Sequence, residues 1–160
     1  MKKLSVMFLF ASLSAVAGDK ITLNVELSPA GSFQATSETM KGELVKKNGV
    51  LLSDKISIDV ESLKTGIDLR DEHLWKHMNS KKHQQAVLTE LKGKDGLAMA
   101  QLEVAGKKRP VQIQYHEEGS TIVGKFKVLA HDFNLPKAEY LGIGVNDEVI
   151  GEVTMAYKKL

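Results

Sequence analysis

The chain has 160 residues, a formal net charge of +2 and no cysteine. That length suits one domain with its own hydrophobic core. Without cysteine there are no disulfides, no thiolate metal sites and no cysteine nucleophile, and 42% apolar residues exclude disorder of the chain as a whole.

Residues 1–17 read as an address. Lys2 and Lys3 precede an almost wholly apolar run over 4–13, and Ala15-Val16-Ala17 is a small-x-small site. This is the pattern of a secretory signal peptide cleaved after Ala17. An uncleaved anchor or a buried first strand are the other readings. A bilayer span needs ~20 apolar residues, more than this run offers, and no later segment approaches that length. The expected mature domain is 18–160, periplasmic or secreted, with no membrane span. Without Lys2 and Lys3, basic and acidic residues are equal in number. That balance argues against a nucleic-acid partner, which calls for a basic face.

Period-two alternation dominates the mature chain. Ile21, Leu23, Val25 and Leu27 alternate with polar residues until Ser28-Pro29-Ala30-Gly31 breaks the run. Segments 32–37 and 41–46 are weaker strand candidates, and Asn48-Gly49 signals a turn. Ile56, Ile58 and Val60 alternate next. From 69 to 78 the chain has no Gly, Pro or β-branched residue, which predicts a helix. Asp68 is its expected N-cap, and Asn79-Ser80 its end. Strands resume at 86–92 and, after Asp95-Gly96, at 97–104. Ala105-Gly106-Lys107 turns the chain into a strand carrying Val111, Ile113 and Tyr115. Ile122, Gly124, Phe126 and Val128 form the next, 131–144 is irregular, and 149–157 alternates again. Eight or nine short strands with one helix predict an all-β sandwich or an antiparallel barrel of about eight strands.

Chemical motifs are scarce. His73 and His77 share a helical face, and His83 follows. The spacing is open to zinc, but the Glu of a His-Glu-x-x-His helix is missing, since Glu72 precedes His73. The expectation is no metal and no cofactor. No Gly-x-Ser-x-Gly elbow occurs, no carboxylate pair stands out, and Gly142-x-Gly144 opens no helix, so no enzyme is expected. Arg70-Asp71-Glu72-His73 is the densest polar cluster. It fits either a helix start with a salt bridge, or a polar mouth in which Arg70 meets an anion and His73 donates. Trp75 beside it, and Tyr115, Phe126, Met155 and Tyr157 on apolar strand faces, fit a core or a ligand cavity.

The run Ile56-x-Ile58-x-Val60-x-Ser62-Leu63-x-Thr65-Gly66, then Arg70-Asp71-x-His73-Leu74, resembles the central block of the YceI-like proteins. Gly106-x-x-x-Pro110-Val111, Gly124-x-Phe126, Asp132-Phe133, Tyr140-Leu141-Gly142 and Val145-x-Asp147-Glu148-Val149 follow in that family's order. The sequence departs from the family after the helix, where it reads His83-Gln84-Gln85-Ala86-Val87-Leu88. The resemblance implies a lipocalin-like barrel with a helix near one end, in an exported protein that encloses a long isoprenoid or other fatty-tailed lipid. Alternation then places the tail along Ile58, Val60, Leu88, Ile113, Tyr115, Phe126, Val128, Val153 and Met155. The helix start places the head near Arg70, Asp71, His73 and Trp75. Ala35, Ala98, Ala100, Gly124 and Gly151 are expected to leave room for a cavity. The other expectation is a filled barrel with a structural or interaction role in envelope stress. A homodimer is compatible with either.

Overall fold

The structure is a computed structural model describing residues 18–140 and 142–160; the expected signal segment lies outside them. Strands form where every second side chain can be buried and the rest left in water. They are β1 (Lys20–Ser28), β2 (Ser32–Ser37), β3 (Lys41–Gly42), β4 (Val45–Lys47), β5 (Val50–Asp59), β6 (Gln85–Lys94), β7 (Leu97–Val104), β8 (Lys107–Glu118), β9 (Thr121–Leu129), β10 (Glu139–Tyr140), β11 (Ile143–Ala156) and β12 (Lys158–Lys159). Four of these twelve have only two or three residues, leaving eight long strands among the described residues where eight or nine were expected.

Two strands begin earlier than alternation suggests. Strand β5 starts at Val50 instead of 56, because Leu51 and Ser53 are buried on its inner face even though Leu51-Leu52-Ser53 does not alternate by type. Strand β11 starts at Ile143 instead of 149, where pairing with β1 and β10 satisfies its backbone. The segment expected to be irregular contains β10 and most of a 3₁₀ helix, Ala130–Phe133.

The strands form one sheet in the order β12-β4-β5-β6-β7-β8-β9-β11-β1-β2, with β3 beside β5 and β10 beside β11. From β5 to β9 it is an antiparallel meander. Asp95-Gly96 and Ala105-Gly106 turn it, and Asn48-Gly49 joins β4 to β5 ahead of it, each residue at positive φ. Such turns match the right-handed twist of the strands they join. The sheet curls until its margins are sutured at two places. At one, Thr36 of β2 exchanges both backbone hydrogen bonds with Lys64 at 2.9 Å. At the other, the chain leaving β11 lays β12 parallel to β4, with Lys158 N–H donating to the Leu44 carbonyl and Leu160 N–H to that of Lys46, both at 2.9 Å.

The β5–β6 connection carries a second 3₁₀ helix, Val60–Ser62, and helix α1 (Asp68–His77). Asp68 is not the N-cap. Ile67 occupies that place with extended backbone and no side-chain cap, and Asp68 is the first helical residue. The stabilising carboxylate sits one turn further on. Asp71, 3% exposed, accepts hydrogen bonds from the Thr65 N–H at 2.7 Å and the Thr65 hydroxyl at 2.6 Å. Met78, Leu74 and Trp75 of the helix region pack on Ala35, Ile58, Val60 and Leu63, forming a core that covers part of one barrel end. A second core fills the other end: Leu44, Leu51, Leu91, Ala98, Ile122, Met155 and Tyr157.

Candidate functional site

Inner-face side chains of nearly all the long strands enclose an apolar cavity of about 100 Å³. Among the described residues, Ser57 and Tyr115 are the only ones of its wall with polar side-chain nitrogen or oxygen, and none of those lining it is charged. The lumen is shut at the end holding the β4–β5, β6–β7 and β8–β9 turns. There Leu51, Leu91, Ala98, Ile113, Ile122 and Met155 are buried. Tyr157 plugs this end, its hydroxyl 3.3 Å from both a Glu117 carboxylate oxygen and the Gly119 carbonyl. Towards the helix end, Leu88 and Leu102 also face inward but are only half-buried, as are Phe126 and Val153 in the wall formed by β9 and β11. The lumen therefore opens at that end.

Of the residues expected along a tail, Ile58, Leu88, Ile113, Tyr115, Phe126, Val153 and Met155 line this cavity. Val60 does not: it lies in the first 3₁₀ helix, 2% exposed beneath α1. Val128 packs against the main core without reaching the cavity wall. Sequence reasoning missed several wall residues, among them Met40, Leu44 and Leu91. Met40 and Leu44 lie between short strands, and Leu91 follows a bulge at Glu90 (φ 55°) that resets the alternation.

The small residues expected to leave room are partly spoken for. Phe126 stands opposite Gly151 across β9 and β11, the tip of its ring over the glycine. A Cβ there would lie 2.2 Å from the ring. Gly93 similarly receives the ring of Tyr115, 2.9 Å from where a Cβ would sit. A Cβ on Gly124 would meet Ile113 and Val153 at 3.0 Å. Ala35, 0% exposed, belongs to the core under the helix. Glycine here seats bulky neighbours flush with the wall, and Ala98 alone of the five small residues borders the cavity.

Three residues of the expected head-group cluster, Arg70, Asp71 and Trp75, hold the helix. Arg70 donates from Nη2 to the Thr65 carbonyl at 2.9 Å and lies 4.7 Å over the Phe33 ring. Trp75 donates its indole N–H to the Leu63 carbonyl at 2.9 Å, with Lys64 Nζ 4.4 Å over its ring. Burial alone pushes the Asp71 carboxyl up, but the two Thr65 hydrogen bonds and the Lys64 and Arg70 charges hold it below the ordinary value. His73 is exposed on the helix. None of the four lines the cavity.

Titratable groups elsewhere are local latches. His131 pairs through Nδ1 with Asp147, whose other oxygen accepts the His131 N–H at 2.9 Å. The Asp147 hydrogen bond and charge raise the His131 pKa. Asp147 is pushed up by burial but lowered further by the His131 bonds, ending below its ordinary value. Among the described residues, no group of three or more His, Asp or Glu side chains is placed to hold a metal. Nor is any helix among them long and apolar enough to cross a membrane.

An antiparallel sheet curled around an apolar lumen, with one helix at its open end, is a lipocalin-like β-barrel. The family model described as YceI-like domain matches residues 15–156, and the chain belongs to the YceI-like family. No curated protein matches the sequence significantly. Solved structures show the same fold. BcnA of Burkholderia cenocepacia superposes with a TM-score of 0.66 at 16% identity, covering 85% of this chain and 94% of its own. A domain from Saccharophagus degradans, described as polyisoprenoid-binding and implicated in plant cell wall breakdown, gives 0.60 at 14% identity over 85% and 91%. A mutant CJ YCEI protein with a monobromobimane guest gives 0.54 at 16% identity over 99% of both chains.

Proposed function

We propose that this protein binds lipids, holding the apolar tail of a long-chain amphiphile such as a polyisoprenoid in its lumen without covalent chemistry. The observation that carries this is the cavity wall, apolar throughout except for Ser57 and Tyr115. Each buried methylene contributes roughly 0.8 kcal/mol. About ten of them would contribute on the order of 8 kcal/mol before ordering costs, so a tail needs few polar contacts. A wall whose polar atoms are two isolated hydroxyls, with no carboxylate, histidine or lysine beside them, also favours binding over catalysis. The relative described as polyisoprenoid-binding supports this class of ligand. The basic, apolar, small-residue pattern of 1–17 supports export, with a periplasmic or secreted domain from Gly18 onwards.

The resting cavity sets a condition. At about 100 Å³ it is smaller than the roughly 150 Å³ apolar cavity that takes one benzene. A long tail must therefore displace wall side chains, and the half-buried Leu88, Leu102 and Phe126 are the ones with room to move. The same small volume favours a second reading, a filled barrel with a structural or interaction role. Native mass spectrometry of protein from its own envelope fraction, with lipid identification after extraction, separates them. A stoichiometric fatty-tailed compound is the expected result. Protein free of bound mass and unable to take up added lipid leaves the filled barrel. Phe126→Asp should abolish retention in a folded variant, and unchanged retention would remove Phe126 from the tail path.

A further inference from the structure

The ladder across four strands pairs Ile56 with Leu88, Leu88 with Leu102, and Leu102 with Arg109. Residues directly opposite in a ladder share a face. Ile56, Leu88 and Leu102 all line the cavity, and the row continues on the same side to Arg109, which is exposed and stands just outside the cavity wall. Strand β8 shows the same by alternation: Val111, Ile113 and Tyr115 face inward, and Arg109 and Lys107 continue that side towards the open end. A cation here is not needed for the fold. Among the described residues, the one side-chain hydrogen bond of Arg109 runs from Nη1 to the neighbouring Lys108 carbonyl at 3.1 Å, and neither Arg109, Lys107 nor Lys108 joins an ion pair.

Further positive charge gathers at the same rim. The His83 ring packs against Gly106, 2.7 Å from where a Cβ would sit. That contact brings the turn carrying Lys81 and Lys82 to the β7–β8 turn. Carboxylates stand at this rim as well: Glu61 reaches Lys81 at 3.6 Å, Glu103 is opposite Lys108 on the outer face, and the 3₁₀ helix carrying Asp132, itself latched to Asp147, packs against β8. None of them pairs with Arg109 or Lys107.

We propose that Arg109, assisted by Lys107, anchors an anionic head group, phosphate or carboxylate, on the amphiphile whose tail occupies the lumen; this depends on the tail-binding reading above. A guanidinium suits such a head because its planar fork matches two oxygens at once. The long stem lies along apolar wall while the charge stays in water, so an empty barrel tolerates it.

The test compares two ligands with one tail, dodecyl phosphate and dodecanol, titrated as monomers into the full-length mature protein and into Arg109→Gln. Wild type should bind the phosphate about tenfold more tightly, the scale of a hydrogen bond to a charged group. That preference should weaken with salt. Arg109→Gln should lose the preference and keep its dodecanol affinity, while Arg109→Lys should keep part of it. Equal affinity for both ligands in wild type, or an undiminished preference in Arg109→Gln, overturns the anchor and leaves the tail site standing. Failure of both ligands to bind overturns the tail reading and the anchor together. Phosphatidylglycerol vesicles without added amphiphile form the last arm. Binding to them that falls in Arg109→Gln, with no head-group preference in solution, would assign these cations to a membrane surface instead.

Discussion

Gly151 and Phe126 show how single residues shape the lumen. The ring lies on the glycine because only hydrogen there leaves space, and a methyl at 2.2–2.7 Å from three ring atoms would force the ring off the wall. Gly151→Ala is expected to cost about 1–3 kcal/mol by overpacking and to reduce tail uptake as the ring is pushed into the lumen. Urea denaturation and ligand titration check both, and adding Phe126→Leu should restore part of the loss. An unchanged midpoint in Gly151→Ala would mean that the ring moves at no cost. Asp71 is the polar counterpart. Its removal in Asp71→Ala takes the acceptor from the part-buried Thr65 N–H and leaves the hydroxyl only the Ile67 carbonyl at 3.3 Å, and about 1–3 kcal/mol of stability should be lost. Because the folded carboxyl titrates below its ordinary value, its contribution is present above the unfolded pKa and lost as pH falls through the folded one. Wild type should therefore lose stability in acid more steeply than Asp71→Ala.

At the scale of elements, α1 is held by its connections more than by its own sequence. It has no side-chain cap. Asp71, Arg70 and Trp75 tie it to Thr65 and Leu63, while Met78, Leu74 and Trp75 bury its inner side. The 3₁₀ helix Ala130–Phe133 is held differently, by His131 on Asp147 and by buried Phe133. Two titrations bound this latch. The raised His131 pKa makes its share fully present below the unfolded histidine value and lost as pH rises through the folded one. The lowered Asp147 pKa makes its share present above the unfolded aspartate value and lost as pH falls through the folded one. Amide protection over 130–133, taken relative to intrinsic exchange at each pH, should thus be greatest between those limits and weaker in acid and in alkali. Asp147→Asn should flatten that profile, and an unaltered profile would show that Phe133 alone holds the segment.

The whole barrel is asymmetric, shut at the hairpin end and open beside the helix. Tyr157 and β12 make the closed end, joining the middle of the sheet to its β4 margin. Tyr157→Ala should cost roughly 3 kcal/mol or more, as expected for a buried aromatic. It should also let a dye for apolar surface bind a folded protein. A loss of well under 1 kcal/mol would mean that the margins stay closed without this strap. By itself the sequence determined the alternating strands, the Asn48-Gly49 and Asp95-Gly96 turns, the one helix and the order of blocks shared with the YceI-like family. Each of these is local in the chain, a period of two or a residue suited to positive φ. Only the tertiary structure decided that Phe126 covers Gly151, that Arg70, Asp71 and Trp75 tether a helix, and that Arg109 continues a lumen row. The physical reason is register. Which residues face each other across strands depends on contacts distant in sequence, and a slip of one residue turns every side chain to the other face.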